Sequence, residues 1–144
     1  MSRKTQLKHP VVGFTSGVFD LLHRGHLQYL SACKTHCDYL IVAVDGDALV
    51  KDKKGVDRPY DPIERRLANV SGVAAVDEAL VKYASASNLL KELRAHVYFV
   101  PDNRELEQAR LDLLRALSMR LVVLPYTHGV STSAVAQKIA AGDV

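Results

Sequence analysis

Val11-Val12-Gly13-Phe14-Thr15-Ser16-Gly17-Val18-Phe19-Asp20-Leu21-Leu22-His23-Arg24-Gly25-His26 is the stretch on which the fold of this chain turns. Its opening, Val11 to Thr15, is a short apolar run of the kind a strand buried on both faces shows. The pattern then breaks into two glycines, an acid and two histidines three apart. From His26 to Lys34 apolar side chains recur at helical spacing. In open α/β sheets ligands bind beyond the carboxyl end of a strand, beside the N-terminus of the next helix. The segment Ser16 to His26 therefore has the address of a site.

The same alternation continues outward. Tyr39 to Val44, Ala75 to Val81, Val97 to Val100 and Leu121 to Leu124 are short valine- and leucine-rich runs. Between them Pro62 to Val70, Ser87 to Arg94 and Glu105 to Leu117 carry apolar residues three or four apart. A last helix, Ser133 to Ala141, follows the His128-Gly129 turn and starts in a Ser-Thr-Ser cluster suited to N-capping. This order predicts a Rossmann-like, doubly wound, five-stranded parallel sheet with helices on both faces. No repeat or linker divides the chain, so one domain is expected over residues 1-144, with its core at about 11-141.

Bulk properties narrow the class. The chain has 144 residues, 48% of them hydrophobic and 24% charged, which excludes disordered and collagen-like proteins. A net charge of +3 from 19 basic and 16 acidic residues is too balanced for a nucleic-acid surface, so no nucleic-acid partner is expected. The polar, basic Met1 to Pro10 lacks the apolar stretch of a signal peptide, and no run has the length of a membrane span. A cytoplasmic protein with no membrane partner is expected. Cys33 and Cys37 fall on one helix face, where a disulfide would distort the backbone. With His36 they do not complete a tetrahedral zinc shell, so they are read as reduced packing thiols and no metal site is expected.

The chemistry sits in the first turn. Gly17 allows close backbone approach, and Gly25 keeps the helix entrance open, where free N-H groups and the helix dipole favour an anion. His23 and His26 add directional donors whose charge is tunable near neutral pH. Nucleotidyl transfer needs such a set, because a phosphate oxygen is already nucleophilic. The protein has to align it and stabilise charge on the five-coordinate phosphorus. Asp20 either orients a histidine or caps the turn.

Gly17 to His26 resembles the HxGH signature of the cytidylyltransferase-like nucleotidyltransferases, together with its preceding G-x-F-D. Lys54-Gly55, Arg58-Pro59 and Glu64-Arg65-Arg66 resemble that family's lysine loop and following helix, and Gly129-Val130-Ser131-Thr132-Ser133 resembles its late I-S-T-T element. The resemblance implies that His23 and His26 contact the triphosphate, that Lys54, helped by Lys51, neutralises phosphate charge, and that Arg66 lies against nucleotide or phosphates. Ser131 and Thr132 would hold phosphate at the last helix. Ser16, Gly17, Val18, Phe19, Gly25 and Asp102 complete the expected nucleotide-binding set. The implied partners are a nucleoside triphosphate, a phosphorylated small-molecule acceptor and a second copy of the chain. Mg2+ is expected, held mainly by the triphosphate.

Within the family, Gly-Val-Phe-Asp, Lys-Gly followed by Arg-Pro, and a late Ser-Thr without an upstream arginine look most like the adenylyltransferases of heptose phosphates. Glycerol-3-phosphate and choline-phosphate cytidylyltransferases carry an Arg-Tyr-Val-Asp-Glu segment where this chain has Ala74-Ala75-Val76-Asp77-Glu78. ATP is therefore favoured over CTP, and a sugar-phosphate-like acceptor over a phosphorylated alcohol such as glycerol 3-phosphate. Val100-Pro101-Asp102-Asn103-Arg104 departs from the lysine and glycine-rich acidic turn of the heptose group, and its proline removes a backbone donor. A reading of a different class is a non-catalytic nucleotide-binding module.

Overall fold

The computed structural model describes residues 9–126. Its strands are β1 (Val12–Gly17), β2 (Tyr39–Asp45), β3 (Glu78–Lys82), β4 (Val97–Pro101) and β5 (Arg120–Leu124). Its helices are α1 (Arg24–Lys34), α2 (Asp47–Lys54), α3 (Ile63–Ser71), α4 (Ser87–Leu93) and α5 (Gln108–Ala116). The strands form one sheet in the order β3-β2-β1-β4-β5, every neighbouring pair parallel. After β3 the chain crosses back to place β4 on the other side of β1. The gap beyond the ends of β1 and β4 is thus the switch point where ligands of such sheets bind.

Alternation along the strands divides the core into two layers. Leu40, Val42 and Val44 of β2 join Val97 and Phe99 of β4 against Tyr29, Leu30 and Cys33 of α1 and Val70 of α3. Ile41, Ala43, Tyr98 and Val100 face the opposite way, toward Leu90 of α4 and Leu114 of α5. The period-2 geometry of a strand sends neighbouring side chains to opposite faces, so a central strand apolar throughout implies helices on both sides.

Four departures from the sequence reading have local causes. Lys51 to Lys54, expected in a loop, close helix α2, which buries only Val50 and so carries little apolar signal. The third strand starts at Glu78 rather than Ala75, because Val76 N-H bonds back to the carbonyl of Val73 in a tight turn. The outer strands are not covered on both faces: β3 and β5 are edges, and Leu121 and Val123 are exposed. Helix α1 ends at Lys34, so only Cys33 is helical. Cys37 bonds back to the Cys33 carbonyl at 3.5 Å, and both thiols are free. The final helix expected at Ser133 to Ala141 lies outside the described residues.

Candidate active site

Helix α1 begins with a capping box made by the two histidines. The Nδ1 atom of His23, the N-cap, accepts from the backbone N-H of Gly25 at 3.1 Å. The Nδ1 atom of His26 accepts from the backbone N-H of His23 at 3.2 Å. Each ring satisfies an orphan N-H of the helix start. An imidazole that accepts at Nδ1 carries its proton on Nε2, so both rings are Nε2-H donors when neutral. The rings stack with centroids 3.9 Å apart, and Nε2 of His23 is buried without a partner among the described residues.

Burial holds His26 neutral. Its pKa is pushed down to about 3, first by desolvation, then by the His23 ring and more weakly by Lys54, against an upward pull from Asp20. Burial lowers His23 as well. Phe19 meets His26 edge-on at 5.5 Å from a left-handed backbone conformation, φ 52°. Gly25 leaves room for the pair: a Cβ there would crowd Cε1 of His23 at 3.0 Å and meet the Tyr126 hydroxyl at 3.4 Å. Gly17 is extended, and a Cβ there would press on the Phe19 ring at 3.1 Å.

A cleft of about 470 Å³ opens over the carboxyl ends of β1, β2, β3 and β4. Of the expected residues, Ser16, Gly17, Val18, Phe19, His26 and Lys54 line it. His23 and Gly25, also expected there, do not line it; the His23 ring stacks on that of His26. Among the described residues, five cations reach the cleft, namely Lys53, Lys54, Arg58, Lys82 and Arg104, against two carboxylates, Asp20 and Asp45. Lys54 and Arg104 form no ion pair among the described residues. Burial, Arg58 and Arg104 lower the Lys54 pKa, with Asp20 and Asp45 opposing. The surplus of positive charge suits a polyanion.

Other expected residues stand elsewhere. Arg66 is fully buried and does not line the cleft. Its Nε donates to the Asp61 carbonyl at 2.9 Å, Nη1 to the carbonyls of Val18 and Asp45 at 2.9 and 2.6 Å, and Nη2 pairs with Asp47 at 2.6 Å. With its donors spent on protein, it braces the walls of the cleft and leaves no edge for a nucleotide. Lys51 is exposed and does not line the cleft, whereas Lys53, three residues on from the buried Val50, donates to Asp45. Asp102 accepts from the backbone N-H of Tyr126 at 3.2 Å, and its loop reaches the cleft through Asn103 and Arg104 instead. Ser131 and Thr132 lie outside the described residues.

Asp20 acts at long range. Buried at 1% exposure, it accepts from the N-H groups of Tyr60 and Asp61 at 2.7 and 2.8 Å and pairs with Arg58 Nε at 3.3 Å. It thereby fastens the segment before α3 to the histidine turn. Asp45, Arg58, Lys82, Arg104 and Tyr126 are among the cleft residues absent from the expected site; Arg58 carried a signal in its Arg58-Pro59 block and Arg104 in the atypical Val100 to Arg104 loop.

The sheet, its switch-point cleft, the neutral histidine pair and the surrounding cations define a nucleotidyltransferase domain. The chain belongs to the Cytidylyltransferase-like family, whose profile matches residues 14–138. The Bifunctional protein HldE of Pseudomonas entomophila (strain L48) is 35% identical over 128 residues, 88% of this chain but 27% of that protein. The same-named protein of Pseudomonas fluorescens (strain Pf0-1) is 36% identical over 129 residues with the same shares. The chain thus spans just over a quarter of the length of these relatives. In structure it is similar to the lipopolysaccharide core biosynthesis protein of Thermoplasma volcanium GSS1, with a TM-score of 0.71 at 23% identity over 83% of this chain and 98% of that one. Pantoate-beta-alanine ligase of Francisella tularensis follows at TM-score 0.61 and 14% identity, covering 93% of this chain and 68% of that one. At these identities the two structures support the fold.

Proposed function

We propose that this domain transfers a nucleoside monophosphate, adenylyl by preference, from a nucleoside triphosphate to the phosphate of a sugar-phosphate acceptor, releasing pyrophosphate. The observation that carries the reading is the neutral, Nε2-protonated imidazole of His26 at the mouth of α1, stacked on His23 and sharing the cleft with Lys54, which forms no ion pair among the described residues. An acceptor phosphate oxygen attacks the α-phosphorus, the bond from that phosphorus to the β-phosphate bridging oxygen breaks, and pyrophosphate departs with the electron pair. His26 Nε2-H donates to an oxygen of the transferring phosphoryl group, and Lys54 meets charge building toward the leaving pyrophosphate. No side-chain base is needed, since the attacking phosphate is already ionised.

The preference for ATP rests on the sequence blocks shared with heptose-phosphate adenylyltransferases. Magnesium would accompany the triphosphate. Asp20 is saturated by two N-H groups and Arg58, and Asp45 lies between two lysines, so these carboxylates do not make a metal cage. The ion's ligands would be phosphate and water. Cytoplasmic action, where triphosphates are supplied, and pairing of two copies belong to the same proposal. Light scattering on the purified chain tests the pairing.

Pyrophosphate release, measured with each of the four ribonucleoside triphosphates against a panel of sugar 1-phosphates and glycerol 3-phosphate, tests the reaction. Release with ATP and a sugar phosphate is expected. Tight triphosphate binding with no release from any pair would replace the enzyme with a non-catalytic binding module.

A further inference from the structure

At the β2–β3 end of the cleft, one strand removed from the histidines, lies a polar pair that the transfer of the phosphoryl group leaves unused. Asp45 closes β2 and Lys82 closes β3, and the two face each other in the register of the sheet. Both line the cleft, yet both are buried, at 2% and 8% exposure. Lys82 Nζ pairs with Asp45 Oδ1 at 3.1 Å off ideal hydrogen-bond geometry, so among the described residues this buried oxygen keeps lone-pair capacity, and the ammonium keeps N-H groups, for a further partner. Oδ2 is taken by Lys53 at 3.1 Å.

A buried carboxylate oxygen with open lone pairs is expensive unless something donates to it. An anion is excluded as that partner, because it would meet the charge of Asp45. A cation is excluded too, because Lys53 and Lys82 already outnumber the carboxylate. A hydroxyl group satisfies both sides: its O-H donates to Asp45 Oδ1 and its oxygen accepts from the Lys82 ammonium. Two adjacent hydroxyls satisfy the pair fully, one on each charged group.

We infer that Asp45 and Lys82 bind hydroxyl groups on the sugar ring of the acceptor and so select a polyhydroxylated phosphate ester over a bare one. This rests on the reading of the chain as a transferase with a sugar-phosphate acceptor, and it names the residues that read the sugar. The acceptor then lies across β1 toward β2 and β3, its phosphate at the histidines and its hydroxyls at the lysine-carboxylate pair. The nucleotide is left the side of β4, where Asn103, Arg104 and Tyr126 line the cleft.

The test compares glucose 1-phosphate with cyclohexyl phosphate, a ring of the same size without hydroxyls, for the wild type, Lys82→Met, Lys82→Arg and Asp45→Asn. Binding is measured by calorimetry in the presence of a non-hydrolysable ATP analogue, and turnover separately by pyrophosphate release. The wild type is expected to bind the sugar ester roughly 10- to 100-fold more tightly than the cyclohexyl ester, the scale of hydrogen bonds to charged groups. Lys82→Met and Asp45→Asn should erase most of that preference while affinity for the ATP analogue changes less than about threefold. Lys82→Arg, which keeps the donor, should restore part of it. Equal or undetectable binding of the two esters by the wild type, or a preference that survives Lys82→Met, overturns the inference. A preference that Lys82→Met abolishes, with no pyrophosphate release from any triphosphate, upholds the hydroxyl site and overturns the transferase reading alone.

Discussion

The Nδ1 atom of His26 accepts the backbone N-H of His23 at 3.2 Å while the two rings stack at 3.9 Å. The cap of the helix therefore orients the ring that lines the cleft, His26, and fixes its Nε2 as the nitrogen offered to the phosphates. His26→Ala should lower turnover by about two to three orders of magnitude, the cost of one preorganised donor. Steady-state pyrophosphate release measures it, and near-full activity would remove His26 from the mechanism.

Gly25 is the spacer that keeps this pair in place. Gly25→Ala introduces a Cβ 3.0 Å from the His23 ring, so His23 must swing away while the helix gains a better former. Turnover is expected to fall by roughly tenfold or more, the effect of a small misplacement, with thermal stability changing by less than about 1 kcal/mol. A large loss of stability would show that the ring serves packing rather than ligand.

Acid should weaken the fold through His26. Its folded pKa, about 3, lies below the unfolded value near 6.5. Between those values the unfolded chain binds the extra proton, so stability is fully present above about pH 6.5 and declines as pH falls toward 3. Urea midpoints at pH 7, 6 and 5 should drop in that order, and His26→Gln should flatten the trend. The activity profile should show no loss between pH 8 and 6.5 assignable to His26.

Arg66 offers a prediction of opposite kind. Removing its guanidinium with Arg66→Leu strands three carbonyls and Asp47, which should cost about 3–5 kcal/mol. Denaturant unfolding measures it, and a change under about 1 kcal/mol would contradict its bracing role.

The contrast between His26 and Arg66 marks what a sequence can convey. The turn was readable because its logic is local: glycine spacing, helix entry and histidine period lie within ten residues. The central strands were readable because β2 and β4 are apolar on both faces and β1 opens in an apolar run. Helix α2 was not, since Val50 alone anchors it and its lysines look like a solvated loop. Arg66 was placed in the right region with the wrong duty, because only the fold shows that Val18, Asp45 and Asp61 converge on it. Lys82 lay just beyond the expected strand and carried no signal. Its meaning comes from Asp45, 37 positions away in sequence and opposite it in the sheet.

Asp20 ties the histidine turn to Tyr60 and Asp61 through two main-chain bonds across about 40 positions. The cleft therefore has no independent existence as a loop motif: it assembles only with the whole domain, and a bound triphosphate should slow hydrogen exchange throughout the central strands as much as at the rim.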